Sequence, residues 1–234
     1  MFHFKKFSIE DSAAAMKIGT DAVLLGAWTK CENESRILDI GTGSGILSLM
    51  LAQRTSKIFI DALEIDQEAA TLAMENAKFS PWGNWITVHQ TSFQEFAKAS
   101  PNKYSLIICN PPFFSKSLKA STKARNLARH NDSLPLNELL SGVTNLLTNN
   151  GKASFIFPFE AIANWKNEAR YFSLFPARIT VVKSSQTHLP HRAMVTFSKE
   201  GKTKMIENEI YIYHEKGVYS NEYRELTMPY YLKF

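Results

Sequence analysis

From Arg36 onward the chain alternates short, near-continuous apolar runs with stretches of helical spacing. Arg36-Ile37-Leu38-Asp39-Ile40 reads as a buried strand, and Ile46 to Ala52, after a glycine turn, reads as a helix. Ile58 to Glu64 is a second strand. Gln67 to Phe79 then has helical spacing and stops at the turn signal Ser80-Pro81-Trp82-Gly83. Trp85 to His89 and Tyr104 to Cys109 form the third and fourth strands. Leu136, Leu139, Leu140, Val143, Leu146 and Leu147 fall on one helical face, with Gly151 as the stop and Ala153 to Phe157 as a fifth strand. This alternation predicts an α/β fold, a doubly wound, mostly parallel sheet covered by helices on both faces. Arg178 to Lys183, Ala193 to Ser198 and Glu209 to Tyr213 read as strands without intervening helices, so an antiparallel addition is expected at the sheet's end.

A length of 234 residues fits one sizeable domain. The expected division is an N-terminal lip (1–35), a core (36–200) and a C-terminal extension packed on it (201–234). No apolar run is long enough to span a bilayer, and Met1 to Lys6 lacks the core of a signal peptide, so a cytoplasmic protein is expected. Cys31 and Cys109 have no metal-type spacing; they read as free thiols, and no metal is expected.

The formal net charge is +5, and its distribution matters more than its size. Lys116, Lys119, Lys123, Arg125 and Arg129 occur between Ser115 and His130 with no acid among them. Arg178, Lys183, Arg192, Lys199, Lys202 and Lys204 face Glu200 as the one acid from Arg178 to Lys204. Each run reads either as a solvated face or as a polyanion-binding surface. The first follows directly on a chemical motif, which favours the second reading there.

After the first strand, Asp39-Ile40-Gly41-Thr42-Gly43-Ser44-Gly45 lets backbone approach a ligand without Cβ obstruction. The dinucleotide fingerprint G-x-G-x-x-G would need glycine where Ile46 stands, which weakens a nicotinamide reading. The pattern is similar to the first motif of class I S-adenosylmethionine-dependent methyltransferases. That resemblance implies that Gly41, Gly43 and Gly45 pass under the amino-acid part of the cofactor and that Asp39 helps place its ammonium. Glu64, closing the second strand, suits both ribose hydroxyls better than its rival Asp66, and Ile65 would pack on the adenine. Ser92 stands where the family commonly has an acid, leaving the Ser92 hydroxyl or the Phe93 backbone to meet the adenine.

Asn110-Pro111-Pro112-Phe113 directly follows the fourth strand. A conjugated exocyclic amine is a poor nucleophile because its lone pair is delocalised. The Asn110 side-chain oxygen and the Pro111 carbonyl can each accept one of its N–H groups and free the lone pair for in-line attack. Two prolines stiffen the turn, Phe113 can stack on the base, and no strong general base is required. The motif serves acceptors as different as adenine N6, guanine N2 and protein glutamine, all planar NH₂ groups. A catalytically silent RNA-binding module is the reading from another class, and the intact glycine turn, Glu64 and Asn110 argue against it.

The segments Phe4-Lys5-Lys6-Phe7, Met16-Lys17-Ile18-Gly19-Thr20-Asp21, Leu24-Leu25-Gly26-Ala27-Trp28, Ser80-Pro81-Trp82, Asn110 to Phe114 and Ala128-Arg129-His130 resemble the tRNA1(Val) (adenine(37)-N6)-methyltransferase family, as does the tail from Gly217 to Lys233. The resemblance implies a Rossmann-like class I methyltransferase fold, with a mostly parallel seven-stranded sheet and an antiparallel C-terminal strand pair. It implies that Lys17 and Thr20 lie in a lip over the methionine end of S-adenosyl-L-methionine. Thr20 also reads as the N-cap of a helix from Asp21 to Trp28. Lys116, Lys119, Lys123, Arg125 and Arg129 would contact the phosphates of a tRNA anticodon stem-loop around an extruded adenine. The sequence does not fix the oligomeric state, and a monomer is the favoured reading.

Overall fold

The structure, a computed structural model, describes residues 1–11, 18–31, 35–56, 58–111, 134–201 and 205–233. A short antiparallel ribbon of β1 (Phe2–His3) and β2 (Ser8–Ile9) precedes helix α1 (Thr20–Trp28). The chain then alternates β3 (Arg36–Ile40), α2 (Ile46–Ala52), β4 (Phe59–Glu64), α3 (Gln67–Lys78), β5 (Ile86–Gln90), α4 (Phe93–Ala99) and β6 (Tyr104–Cys109). Next come α5 (Leu136–Leu146), β7 (Leu147–Pro158), α6 (Ile162–Tyr171), β8 (Phe175–Lys183), β9 (Pro190–Ser198) and β10 (Ile206–Tyr211). A small hairpin of β11 (Tyr213–Glu215) and β12 (Val218–Tyr219) leads to α7 (Asn221–Thr227).

The sheet has eight strands in the order β10-β8-β9-β7-β6-β3-β4-β5. All ladders are parallel except those of β9, which runs against both β7 and β8. The expected class of fold is therefore present, with eight strands where the resemblance implied seven: the strand read at Glu209 to Tyr213 is β10, which pairs in parallel with β8 and supplies the edge. One apolar layer packs α1, α2 and the C-terminal aromatics on one face, around Ile37, Ile108 and Met194. The other packs α5 and α6 on the opposite face, around Leu38, Phe155 and Val195.

Local chemistry explains the boundaries. Asp66 caps α3 by accepting from the Ala69 amide, and Ser92 caps α4 by accepting from the Glu95 amide. The expected cap of α1 is one residue off: Thr20 is already helical, and Gly19 is the capping position without a side-chain bond. α5 ends before Leu147, which fits the apolar helix face equally well but opens β7 opposite Tyr104. Gly151 lies inside that strand, not at a helix end. A Cβ there would meet the Tyr104 carbonyl oxygen at 2.9 Å, so strand packing demands the glycine. α6, which buries Trp165 and Ala169, falls in a stretch where no helix was expected.

The C-terminal aromatics dock as a set. Tyr213, Tyr219 and Tyr223 stack in sequence, Tyr231 stacks on Phe4, and the Tyr230 hydroxyl donates to the Met50 carbonyl. Lys5 anchors there too, its amide donating to the Tyr230 carbonyl.

Candidate active site

The strand order reverses beside β3, with β4 on one side and β6 on the other, so a crevice opens at their carboxyl ends. One register row fixes its geometry. Ile40 is opposite Leu63 on β4 and opposite Cys109 on β6. Gly41, Glu64 and Asn110 each follow by one residue and stand side by side, ~5 Å between neighbouring strands; Glu64 closes β4 opposite Gln90, while Gly41 and Asn110 leave the sheet. Residues 46 positions apart in sequence thus share a shelf spanning ~10 Å from Glu64 to Asn110. Ile65 beyond Glu64 is 45% exposed, so its side chain is available as a platform.

The glycine turn is built to leave room. Gly41, Gly43 and Gly45 have φ of +69°, +57° and +88°, the left-handed region that side chains resist. Cβ atoms on Gly41 or Gly43 would meet nothing within 4 Å, so the backbone faces open space. Glu64 lies against this turn. One oxygen accepts from the Gly43 amide at 2.9 Å, and the other from the Ile65 and Asp66 amides at 2.9 and 3.0 Å. Asp66, the rival acid, is committed to capping α3.

Asp39 is fully buried. Its Oδ2 accepts from the Thr42 hydroxyl at 2.6 Å and from the Ser48 hydroxyl and amide at 2.7 and 3.2 Å, while Oδ1 has no hydrogen-bond partner. Burial pushes the carboxyl up to about 6 although Thr42 and Ser48 pull the other way. An orphaned carboxylate oxygen beneath an open glycine turn suits a cationic ligand group. Burial, helped by the Asp39 charge, likewise raises the Cys109 thiol well above its ordinary value, which keeps it from acting as a nucleophile.

The other expected residues divide sharply. Asn110 and Pro111 are half-buried at the end of β6, where the motif reading puts them. The Phe93 side chain is core, packed so closely on α5 that a Cβ at Gly142 would meet it at 2.5 Å. The Ser92 hydroxyl serves Glu95, meeting both its amide and its carboxylate. Thr20 is exposed at the start of α1. Lys17, Pro112, Phe113, Lys116, Lys119, Lys123, Arg125 and Arg129 lie outside the described residues.

The second basic run turns out to hold the fold. Arg178 stacks on Trp28 and donates to its carbonyl, Lys183 pairs with Glu209, Arg192 pairs with Asp21, and Lys199 donates to the Leu147 carbonyl. Lys202 and Lys204 lie outside the described residues.

One residue of the site was not singled out from the sequence. Asn76 on α3, 5% exposed, donates to the carbonyls of Ser44 and Glu10 at 2.9 and 2.8 Å and accepts from the Glu10 amide at 2.9 Å. It stitches the N-terminal segment onto the glycine turn. A polar side chain on the buried stripe Ala69, Ala70, Leu72, Ala73, Ala77 was the available signal.

A cavity of about 490 Å³ bordered by Phe159, Ile162, Ile179 and Val181 lies on the other half of the sheet, away from the glycine turn. Among the described residues no group of three His, Cys, Asp or Glu is placed to hold a metal ion, and no helix is long and apolar enough to cross a membrane.

Fold and crevice together define a class I methyltransferase. The methyltransferase small domain family matches residues 12–150. A predicted O-methyltransferase from Agrobacterium tumefaciens superposes with a TM-score of 0.68 at 20% identity, covering 90% of this chain and 96% of that one. TrmN from Thermus thermophilus superposes with a TM-score of 0.54 at 17% identity over 76% of this chain and 48% of that one. These two likenesses speak to the fold. Sequence likeness goes further. The chain is 42% identical, over the whole of both chains, to the tRNA1(Val) (adenine(37)-N6)-methyltransferase of Flavobacterium psychrophilum. It is 44% identical to that of Bacteroides fragilis YCH46 over 99% of this chain and 98% of the relative. The chain belongs to the tRNA1(Val) (adenine(37)-N6)-methyltransferase family.

Proposed function

We propose that this protein methylates N6 of adenine 37 in tRNA1(Val), in the cytoplasm, using S-adenosyl-L-methionine. The observation that carries the reading is the register row that brings Glu64, Gly41 and Asn110 onto one shelf in a chain like these relatives over its full length. S-adenosylmethionine supplies an electrophilic methyl group carried on a sulfonium.

The residues divide the work. Gly41, Gly43 and Gly45 admit the amino-acid end, Asp39 meets its ammonium through the field of Oδ1, and Glu64 turns from the Gly43 amide to the ribose hydroxyls. Ile65 packs on the adenine of the cofactor, and the Phe93 amide, in the first turn of α4 and without an intrahelical acceptor, is the donor at its edge. Asn110 and the Pro111 carbonyl hold the acceptor amine, and Pro112 and Phe113 complete that turn. Lys17 and Thr20 belong to the lip. Lys116, Lys119, Lys123, Arg125 and Arg129 meet tRNA phosphates.

The test is methylation of a tRNA pool in vitro followed by nucleoside mass spectrometry. N6-methyladenosine is expected, and Asn110→Ala lowers kcat by about 10²–10³ with cofactor affinity unchanged, because the amine contact matters most in the transition state. N2-methylguanosine as the product, or activity that survives ribonuclease treatment of the substrate, overturns the reading.

A further inference from the structure

Among the eight strands β9 alone runs against its neighbours, so its first residues lie at the carboxyl end of the sheet with the catalytic shelf. Arg192 is opposite Pro158 on β7, three residues past Phe155, which is itself opposite Cys109. Arg192 therefore stands two strands from Asn110, ~10 Å across the sheet, on the acceptor side of the site. Its position alternates with Ala193 and matches Met194, which belongs to the layer containing α1.

From there Arg192 reaches α1. Its Nε donates to Asp21 Oδ2 at 2.7 Å, and its Nη1 donates to the His191 carbonyl at 3.0 Å. Asp21 is in the first turn of α1, directly after Ile18-Gly19-Thr20, and no side chain caps that turn at Gly19. On the cofactor side, Asn76 already fixes Glu10 to the glycine turn. Asp11, next to Glu10, accepts from the Ile18 amide at 3.4 Å, so the ion pair joins a segment tied to the glycine turn to the acceptor-side strand across 171 residues of sequence. Both side chains are about 30% exposed, so the pair is partly shielded from solvent screening.

The other end of α1 needs no such tie. Arg54 donates to the carbonyls of Gly26, Ala27 and Thr29, Arg178 donates to that of Trp28, and the Trp28 indole donates to Thr180. The helix is anchored at its C-terminus whether or not Asp21 is paired. We infer that the Asp21–Arg192 ion pair is a positioning latch: it sets the start of α1, and with it residues 18–20, against the acceptor side so that the cofactor is held in register with Asn110. This rests on the methyltransferase reading for the identity of the ligand.

A double-mutant cycle tests it on the full chain, with S-adenosylhomocysteine binding measured by calorimetry in the absence of tRNA. Asp21→Asn and Arg192→Gln each weaken binding about tenfold, and the double variant is no weaker than either single one, because the residues act as a unit. Asp21→Glu keeps affinity close to wild type. In turnover assays the cofactor KM rises while kcat changes little, and hydrogen exchange at the amides of residues 19–23 speeds up in both single variants. Thermal midpoints stay within a few degrees of wild type, since the α1 C-terminus keeps its arginine clamps. Unchanged affinity in the single variants, or losses that add in the double one, overturns the latch. A wild-type protein that binds S-adenosylhomocysteine with this coupling but methylates no tRNA overturns the substrate assignment and leaves the latch standing. One that binds no S-adenosylhomocysteine overturns both.

Discussion

Asp39 on β3 and Asp61 on β4 are buried carboxylates on adjacent strands, Leu38 standing opposite Asp61 and Asp39 opposite Ala62, yet they are treated in opposite ways. Asp61 accepts from Arg36 Nε and Nη2 at 3.0 and 2.9 Å, meets His89 Nε2 at 2.7 Å and accepts from the Tyr104 hydroxyl at 2.9 Å. Burial pushes its carboxyl up, but the His89, Tyr104 and Arg36 contacts outweigh that and hold it below the usual range. Asp39, with two hydroxyls and an amide on one oxygen and nothing on the other, is pushed up to about 6. A satisfied buried acid belongs to the scaffold. One left half-satisfied beneath a glycine turn is what the proposed ligand role of Asp39 calls for, folding stability given up at a binding site.

The largest effect that separates them is on stability. Asp61→Ala strands Arg36, His89 and Tyr104 around a gap and is expected to cost about 3 kcal/mol, a fall in Tm of roughly 6–12 °C. S-adenosylhomocysteine affinity of the folded fraction is unchanged. Thermal melts and calorimetry check both halves. A variant that melts like wild type but loses the ligand would reverse the assignment of the two acids.

Asp39→Asn is the counterpart. It is expected to weaken S-adenosylhomocysteine about tenfold while leaving Tm level or slightly raised, because the charge it removes is poorly solvated in the ligand-free protein. The pH dependence carries the sign. The folded value of Asp39 lies above its unfolded one, so its contribution to stability is full below about pH 4 and is lost as pH rises through about 6. For Asp61 the folded value is depressed, so its contribution is present above about pH 4 and is lost only as pH falls further. Between pH 7 and 5 the ligand-free protein therefore gains stability from Asp39 on acidification while losing affinity for the ammonium-bearing ligand. Asp39→Asn flattens both trends. Melts and titrations at pH 5, 6 and 7 suffice, and an Asn variant whose binding keeps the wild-type pH dependence excludes Asp39 as the partner of the ammonium.

Much of the region around Asp39 was legible in the sequence, and the reason is local. The apolar runs Arg36 to Ile40 and Tyr104 to Cys109 coincide with β3 and β6, and the residues directly after them, Gly41 and Asn110, are those the proposed chemistry uses. Glu64 followed from the same logic, and Asp66 proved to be a helix cap. Where a local pattern fits two structures, the reading failed: Leu147 continues both a helix face and a strand, and Gly151 serves a stop or a close approach equally well. The Asp61 network, the Asn76 stitch and the Asp21–Arg192 pair join residues 25 to 171 positions apart, and no periodicity encodes them. The strand at β10 was read from its pattern, but its parallel pairing with β8, where an antiparallel addition was expected, follows from tertiary packing in the same way.

The finest test of the comparison removes one donor from each acid. Tyr104→Phe leaves Asp61 with Arg36 and His89, so its carboxyl rises part of the way back and acid unfolding begins at a higher pH, with a loss of about 1 kcal/mol at neutral pH. Ser48→Ala takes from Asp39 the hydroxyl bond at 2.7 Å and leaves the Ser48 amide and Thr42 in place. Its carboxyl then climbs further, and the pH below which S-adenosylhomocysteine affinity declines moves upward, with Tm at pH 5 changing less than at pH 7 because Asp39 is largely protonated there in both proteins. The two substitutions delete the same kind of bond from neighbouring strands. If Asp39 serves the ligand and Asp61 the scaffold, the first shifts an unfolding curve and the second a binding curve. A Ser48→Ala protein whose binding curve coincides with wild type while its acid unfolding shifts would place Asp39 in the scaffold after all.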